Sequence, residues 1–321
     1  MTIQFGLIGI GAGAAAALLF ASVVSGSFLS IILFYLAPLP IMIAGIGWSH
    51  WAALIAALSG ALALGAVFGM LYLFAFLAVA AVPGWWLAYL AMLARPATAA
   101  DGKPAALEWY PPGRLVVWAA LLGALVVLTA IPNLGLDADS FRAALRGALR
   151  KMLDIEAGGT LPGITNTERF LDVMVLAIPA TAAVLATLTF TVNMWLAGKV
   201  VHFSGLLKRP WPAIPAMTFP RLTVASLVIA VGLSLIGGLI GILASVVSAS
   251  LLLAFAVLGF AVLHAITQNN KGRPFLLGVA YASVLVFSWP VLALCLIGLF
   301  ETLFNLRDRI LRRRGPPALP T

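Results

Sequence analysis

The sequence predicts an all-α protein, a polytopic transmembrane helical bundle of eight to ten membrane segments with one interfacial amphipathic helix. Three observations lead there. Of 321 residues, 63% are hydrophobic and 9% charged, against about 25% charged in a typical soluble domain. The stretch from Met1 to Ala94 contains no Asp, Glu, Lys or Arg. Apolar runs long enough to cross a hydrocarbon layer of about 30 Å recur along the rest of the chain. No alternating segments of about ten residues recur, which excludes a transmembrane β-barrel. The lipid bilayer is therefore the expected partner of most of the surface, and residues 1–321 read as a single integral membrane domain.

The charge-free stretch 1–94 fits four spans: Phe5 to Val24, Phe28 to Trp48, His50 to Phe68 and Leu71 to Ala94. Ser25-Gly26-Ser27 and Trp48-Ser49-His50 read as tight turns between them. The first run leads straight into others and lacks a basic region before it, so no cleaved signal is expected. Residues 95–114 form a first polar loop in which Pro111-Pro112 forbids a continuous helix. A fifth span follows from Leu115 to Ile131.

Residues 132–169 form the longest polar segment, and they hold the amphipathic helix. Within Asp139 to Leu153, the residues Phe141, Leu145, Leu149 and Met152 recur at helical spacing. Arg142, Arg146 and Arg150 form a basic row beside them, and Asp137 and Asp139 sit at the N-terminus. Such a helix is expected to lie along the membrane interface. A sixth span runs from Leu171 to Leu196, followed by a basic loop at 199–221. Apolar runs at Leu222 to Ile236, Leu239 to Ile266 and Phe275 to Leu303 complete the chain before the basic tail, residues 304–321.

A net charge of +9 does not imply nucleic acid, because the basic residues are scattered among short loops and the tail and form no stripe. They report orientation. Cytoplasmic loops are enriched in Lys and Arg, which places 95–114 and 199–221 inside and 132–169 outside. Nine full crossings would then put Arg307, Arg309, Arg312, Arg313 and Arg314 outside, against that rule. Either one of the last three runs is incomplete, or the final run is a broken pair of short segments at Trp289-Pro290.

Chemistry-bearing motifs are few. Gly9-Ile10-Gly11-Ala12-Gly13 lacks the preceding strand that a dinucleotide-binding turn requires. Gly9 with Gly13, Gly65 with Gly69 and Gly237 with Gly241 read instead as small-residue pairs for close helix approach. The lone cysteine, Cys295, excludes an intramolecular disulfide. No paired Cys or HExxH spacing points to a metal, no Walker A sequence to nucleotide, and Ser204-Gly205 near His202 has no acid to orient the imidazole. No catalytic residue, metal or cofactor is assigned.

Pro38 and Pro40 interrupt the second span and free carbonyls one turn earlier, as broken helices that line transporter sites do. Polar residues inside spans are costly and become binding candidates by default: Asn193, His264 and Glu301 join Pro38 and Pro40 as candidate ligand-binding residues. His50 reads as an interfacial anchor between Trp48 and Trp51. Lys208, Arg209 and Trp211, in the basic loop, are the candidates for docking a partner.

Several of these segments, taken in order, resemble the YybS-like family of uncharacterised polytopic bacterial membrane proteins. The resemblance rests on Tyr35-Leu36-Ala37-Pro38-Leu39-Pro40 with Gly45 to Trp48, on Glu108 to Arg114, and on Asn193 to Lys199. It continues through Ser204 to Trp211, Gly259 to His264, and Ile297 to Glu301 before Asn305-Leu306-Arg307. The family pattern favours Asp where this chain has Glu301, which keeps the charge on a longer arm. The N-terminal half is also similar to the substrate-capturing membrane subunits of vitamin transporters, which bind a small molecule within a helical bundle and borrow a separate ATPase.

The resemblance implies a multi-pass protein of a bacterial cytoplasmic (inner) membrane and a small-molecule binding or transport component, with a separate ATPase or another membrane protein as partner. The rival reading is a membrane scaffold that binds other proteins through its cytoplasmic loops and carries no ligand. A third is an enzyme acting on lipid at the interface.

Overall fold

The computed structural model describes residues 2–98, 104–154, 164–268, 270–287 and 289–313. Segments 99–103 and 155–163 of the two polar loops, and the tail from Arg314 onward, lie outside the described residues. Among the described residues, seven helical stretches are long and apolar enough to cross a membrane: Ile3–Ser25, Phe28–Gly47, His50–Phe68, Met70–Ala91, Pro112–Asn133, Thr167–Phe203 and Gly238–Ile266. Three shorter apolar helices accompany them. The protein is a membrane-embedded, all-α chain that divides into two compact units, residues 1–119 with 188–217 and residues 120–187 with 218–321.

In the first unit, α1 (Thr2–Ala21) packs on α4 (His50–Phe68). The contact is close because the residues at the crossing are small. A Cβ on Gly13 would run into the Ala56 carbonyl and Ser59, and one on Gly60 would meet the Gly13 carbonyl oxygen. Without a hydrophobic drive between helices in lipid, such backbone contact is what holds them. Ala16, Ala53, Ala56 and Phe76 form the buried centre, where Phe20 meets the edge of Phe76 at 5.3 Å.

The two expected turns are capped by serines. Ser27 Oγ accepts from the Ser30 N–H at the start of α2 (Phe28–Tyr35), and Ser49 Oγ accepts from the Ala52 N–H at the start of α4, both at 3.2 Å. The second span is broken as Pro38 and Pro40 demand: α2 ends at Tyr35, and two residues separate it from α3 (Pro38–Gly47).

The fourth span is α5 (Met70–Phe76) joined to α6 (Val82–Ala91) through a π turn at Leu77–Ala81. Pro83 lacks an N–H for the Val79 carbonyl, and the wider turn just ahead of it absorbs the mismatch. Gly69 does not pair with Gly65 across a helix face; with φ of 92° it forms the turn between α4 and α5, while Gly65 alone packs against Leu73.

The first polar loop is not irregular throughout. Strand β1 (Ala94–Thr98) pairs antiparallel with β2 (Pro104–Trp109), with Arg95 opposite Glu108 and their side chains ion-paired at 2.7 Å. Helix α7 (Pro112–Ala130) opens on a proline, which is tolerated in the first turn because that N–H has no helical partner anyway.

In the second unit, α8 (Ala138–Met152) is the expected amphipathic helix. Asp137 Oδ1 accepts from the Asp139 and Ser140 N–H groups, and Ser140 Oγ accepts in return from the Asp137 N–H, completing a capping box. Phe141 is buried with Ala124, Ile131, Ala183, Ile242 and Val246, and Leu145 packs against them. Met152, assigned to the same face by its spacing, is 84% exposed.

Helix α9 (Thr167–Phe203) has 37 residues, about 55 Å at 1.5 Å per residue, and outruns the expected span at both ends. Asn166 Oδ1 accepts from the Arg169 N–H to start it early. At the other end Lys199 stays helical because its ammonium rests over the Trp211 ring, 4.3 Å from the centroid. The basic loop therefore begins after Phe203.

Helix α10 (Arg221–Ser234) has 14 residues, about 21 Å, so the first of the last three runs is short. The chain reverses into α11 (Gly238–Ile266) through Gly237 and Gly238, whose φ angles of 81° and 63° suit only glycine. Gly237 is thus a turn residue; Gly241 alone of that pair lies close to a neighbouring helix, beside the Ser234 carbonyl. The final run is broken at the expected place, into α12 (Arg273–Phe287) and α13 (Pro290–Phe304).

Tyr281 of α12 stacks on Phe260 of α11 at 4.6 Å, and Gly259 packs against Leu294 of α13. The chain thus meets one stretch of α11 twice. Gly298 in turn meets Phe255, so α13 runs antiparallel to α11. A last short helix, α14 (Leu306–Arg313), follows a left-handed Asn305.

Candidate ligand-binding cavity

A cavity of about 560 Å³ lies in the second unit between α8, the first half of α9 and the α10–α11 turn. One wall is charged and follows from spacing. Arg142, Arg146 and Arg150 recur every fourth residue on α8, and Glu168 and Asp172 do so on α9, so two rows of opposite sign face each other. Arg146 Nη1 lies 3.3 Å from Glu168 Oε2, its Nη2 contacts Asp172, and Arg150 contacts the other Glu168 oxygen.

Two carboxylates on α9 thus serve two of the three arginines. The third, Arg142, has Asp139 at 3.6 Å, where the two side chains are 48% and 95% exposed, and an ion pair so open to water holds weakly. Arg142, Arg146 and Asp172 all line the cavity.

The second wall is apolar, made by Val175, Leu176 and Ile242 with Phe141. Pro179, inside α9, also lines it. It has no N–H to give, so the Val175 carbonyl loses its helical donor. Gly237, Gly238 and Gly241 form the third side, and a Cβ on either of the first two would meet open space. Among the described residues no three His, Cys, Asp or Glu side chains come together to hold a metal ion.

The candidate residues read from the sequence lie elsewhere. Pro38, Pro40 and Asn193 are brought together in the first unit. The break before Pro38 frees the Tyr35 carbonyl, and Asn193 Nδ2 donates to it at 2.8 Å while also donating to the Thr189 carbonyl. Asn193 is 2% exposed, and its buried Oδ1 has no hydrogen-bond partner among the described residues. His264 Nε2 and the Tyr281 hydroxyl share a hydrogen bond of 2.9 Å. Glu301 is buried against Arg307, whose Nε and backbone N–H donate to its two oxygens at 2.8 and 2.9 Å. His264 and Glu301 therefore belong to separate pairs.

Of the three docking candidates, Arg209 and Trp211 are half-buried while Lys208 stays exposed. Lys208 Nζ donates to the Trp48 carbonyl at 3.4 Å, just past the end of α3. Arg209 Nη1 donates to the Ala91 carbonyl at 2.7 Å, at the end of α6, and Nη2 to Tyr110. Both cations sit where helix C-termini leave carbonyls unsatisfied and the dipole is negative. Burial pulls the Arg209 pKa below its ordinary value. Trp211 lies against Gly198 and under Lys199.

The chain matches no family model, no curated protein and no solved structure. The cavity was missed in the sequence although two signals mark it. Pro179 interrupts the run Leu171 to Leu196, and the basic row of α8 has acidic counterparts at Glu168 and Asp172, which sequence alone leaves in a different segment.

Proposed function

We propose that the protein is a small-molecule binding or transport component of a bacterial cytoplasmic membrane, holding its ligand in the cavity between α8, α9 and the α10–α11 turn. The observation that carries this reading is the cavity itself. Its volume falls within the range of about 300 to 1,000 Å³ usual for ligand sites, and its lining has the usual make-up, apolar walls with a few convergent polar groups. In this topology the basic segments stay cytoplasmic, and the broken final run lets an even number of crossings, eight or ten, return the tail to that side.

The scaffold reading is weakened because Arg209 and Trp211 are half-buried and make contacts within the protein, leaving Lys208 as the exposed member of the three. The deciding measurement is native mass spectrometry of the detergent-purified protein beside Val175→Trp, which fills the cavity. A small molecule retained by the first and lost from the second is expected. Retention of no small molecule, with loss of a co-purifying protein on changing Arg209 and Trp211, would establish the scaffold instead.

A further inference from the structure

Resting on that reading of the cavity, we infer that its ligand is a phosphate-bearing amphiphile, with the phosphate on Arg142 and an acyl chain against Val175, Leu176 and Ile242. The two walls differ in kind, one charged with Arg142, Arg146 and Asp172 and one apolar with Val175, Leu176, Ile242 and Phe141. A wholly polar ligand would leave the second wall unpaired, and a hydrocarbon would desolvate the first at a cost. Only a molecule with a charged head and an oily tail satisfies both.

The sign of the head follows from the ion pairs. Among the described residues, Arg146 and Arg150 are matched by Glu168 and Asp172, whereas Arg142 meets the water-exposed Asp139. Its guanidinium is the lining charge with most to gain, and its planar fork suits a phosphate held through two oxygens. The setting fits as well. Helix α8 carries an apolar side into the protein and a basic row beside it, the arrangement of helices that lie at the level of lipid headgroups. The Gly237-Gly238 side presents no Cβ toward the cavity's open space, which leaves room for a chain to pass.

The experiment titrates the detergent-purified full chain with dioctanoylphosphatidylglycerol, followed by native mass spectrometry, with dioctanoylglycerol and inorganic phosphate as separate arms. One phosphatidylglycerol per chain is expected to bind. Its affinity should fall about tenfold in Arg142→Gln, the loss of one hydrogen-bonded charge contact, and binding should vanish in Ile242→Trp. Dioctanoylglycerol should bind about tenfold more weakly and ignore Arg142→Gln, and inorganic phosphate should not compete.

Equal binding of both lipids, or binding that persists in Ile242→Trp, would overturn the inference by making the lipid a surface one. Competition by inorganic phosphate would replace the amphiphile with a soluble phosphate compound. If Ile242→Trp releases a co-purified molecule lacking phosphate or chain, the cavity reading stands and this inference falls. If no bound molecule of any kind responds to Ile242→Trp, both fall.

Discussion

The Asn193 side-chain amide donates to the Tyr35 carbonyl across 158 positions of sequence, at 2.8 Å. It thereby closes the gap at the break before Pro38, where the Leu39 N–H turns to the Leu36 carbonyl and leaves that of Tyr35 without its helical donor. In lipid there is no water to take over a freed carbonyl, so the partner must come from another helix. The polar residue and the proline break, two separate oddities in the sequence, are halves of one joint.

Asn193→Leu should therefore destabilise the protein by about 1 to 3 kcal/mol, the cost of leaving a buried acceptor unpaired. Thermal unfolding in detergent reads this as a lower midpoint. In a background with Pro38→Ala and Pro40→Ala the same change should cost less, and equal costs in both backgrounds would show that the two sites do not interact.

At the α11–α13 crossing, Gly259 meets the Leu294 carbonyl and Gly298 the Phe255 carbonyl, each closer than a Cβ would allow. Gly259→Ala or Gly298→Ala should cost about 1 to 3 kcal/mol by forcing the helices apart. Gly278→Ala, where a Cβ meets nothing within 4 Å, is the control and should be neutral or slightly stabilising. Identical behaviour of all three would contradict the close crossing.

The Asp137 carboxylate is held below its ordinary pKa, first by the Ser140 hydroxyl and then by the backbone N–H groups it caps. A group depressed in the folded state contributes stability above its unfolded pKa and loses it as pH falls through the folded one. Amide exchange in the first turn of α8 should therefore speed up as pH is lowered below about 4, after correction for intrinsic rates. Asp137→Asn should remove that pH dependence; a persistent acid step in this variant would assign it to another group.

Glu301 and Arg307 are a buried pair whose side chains are 6% and 8% exposed. Removing one partner alone, as in Arg307→Leu, should cost about 3 to 5 kcal/mol, whereas replacing both by apolar residues should cost far less because no buried charge is stranded. A double-mutant cycle on the unfolding midpoint measures the difference. Additive single effects would mean that the pair does not act as a unit.

The helical spans were legible because one-dimensional signals specify them: the charge-free N-terminal stretch, the turn serines Ser27 and Ser49, the arginine row of α8, and Pro290. What the sequence concealed depends on partners distant along the chain. Lys199 and Arg209 read as loop charges because nothing local shows the Trp211 ring or the Ala91 carbonyl that receives them. The cavity was hidden for the same reason: its charged wall requires α8 to lie beside Glu168 and Asp172, beyond a polar stretch of the chain. The hairpin Ala94–Thr98 with Pro104–Trp109 is short and rich in Pro and Ala, so it carries little of the usual strand pattern.

The glycine crossing of α11 and α13 also limits how this part of the molecule can move. A one-residue slide of either helix would drive a side chain into a carbonyl oxygen, so the pair has one permitted register and behaves as a pinned joint. Any rearrangement that accompanies occupancy must therefore bend elsewhere. The Gly237-Gly238 reversal, which borders the cavity and bears no side chains, is under no such packing restraint, since a Cβ at either glycine would touch nothing within 4 Å.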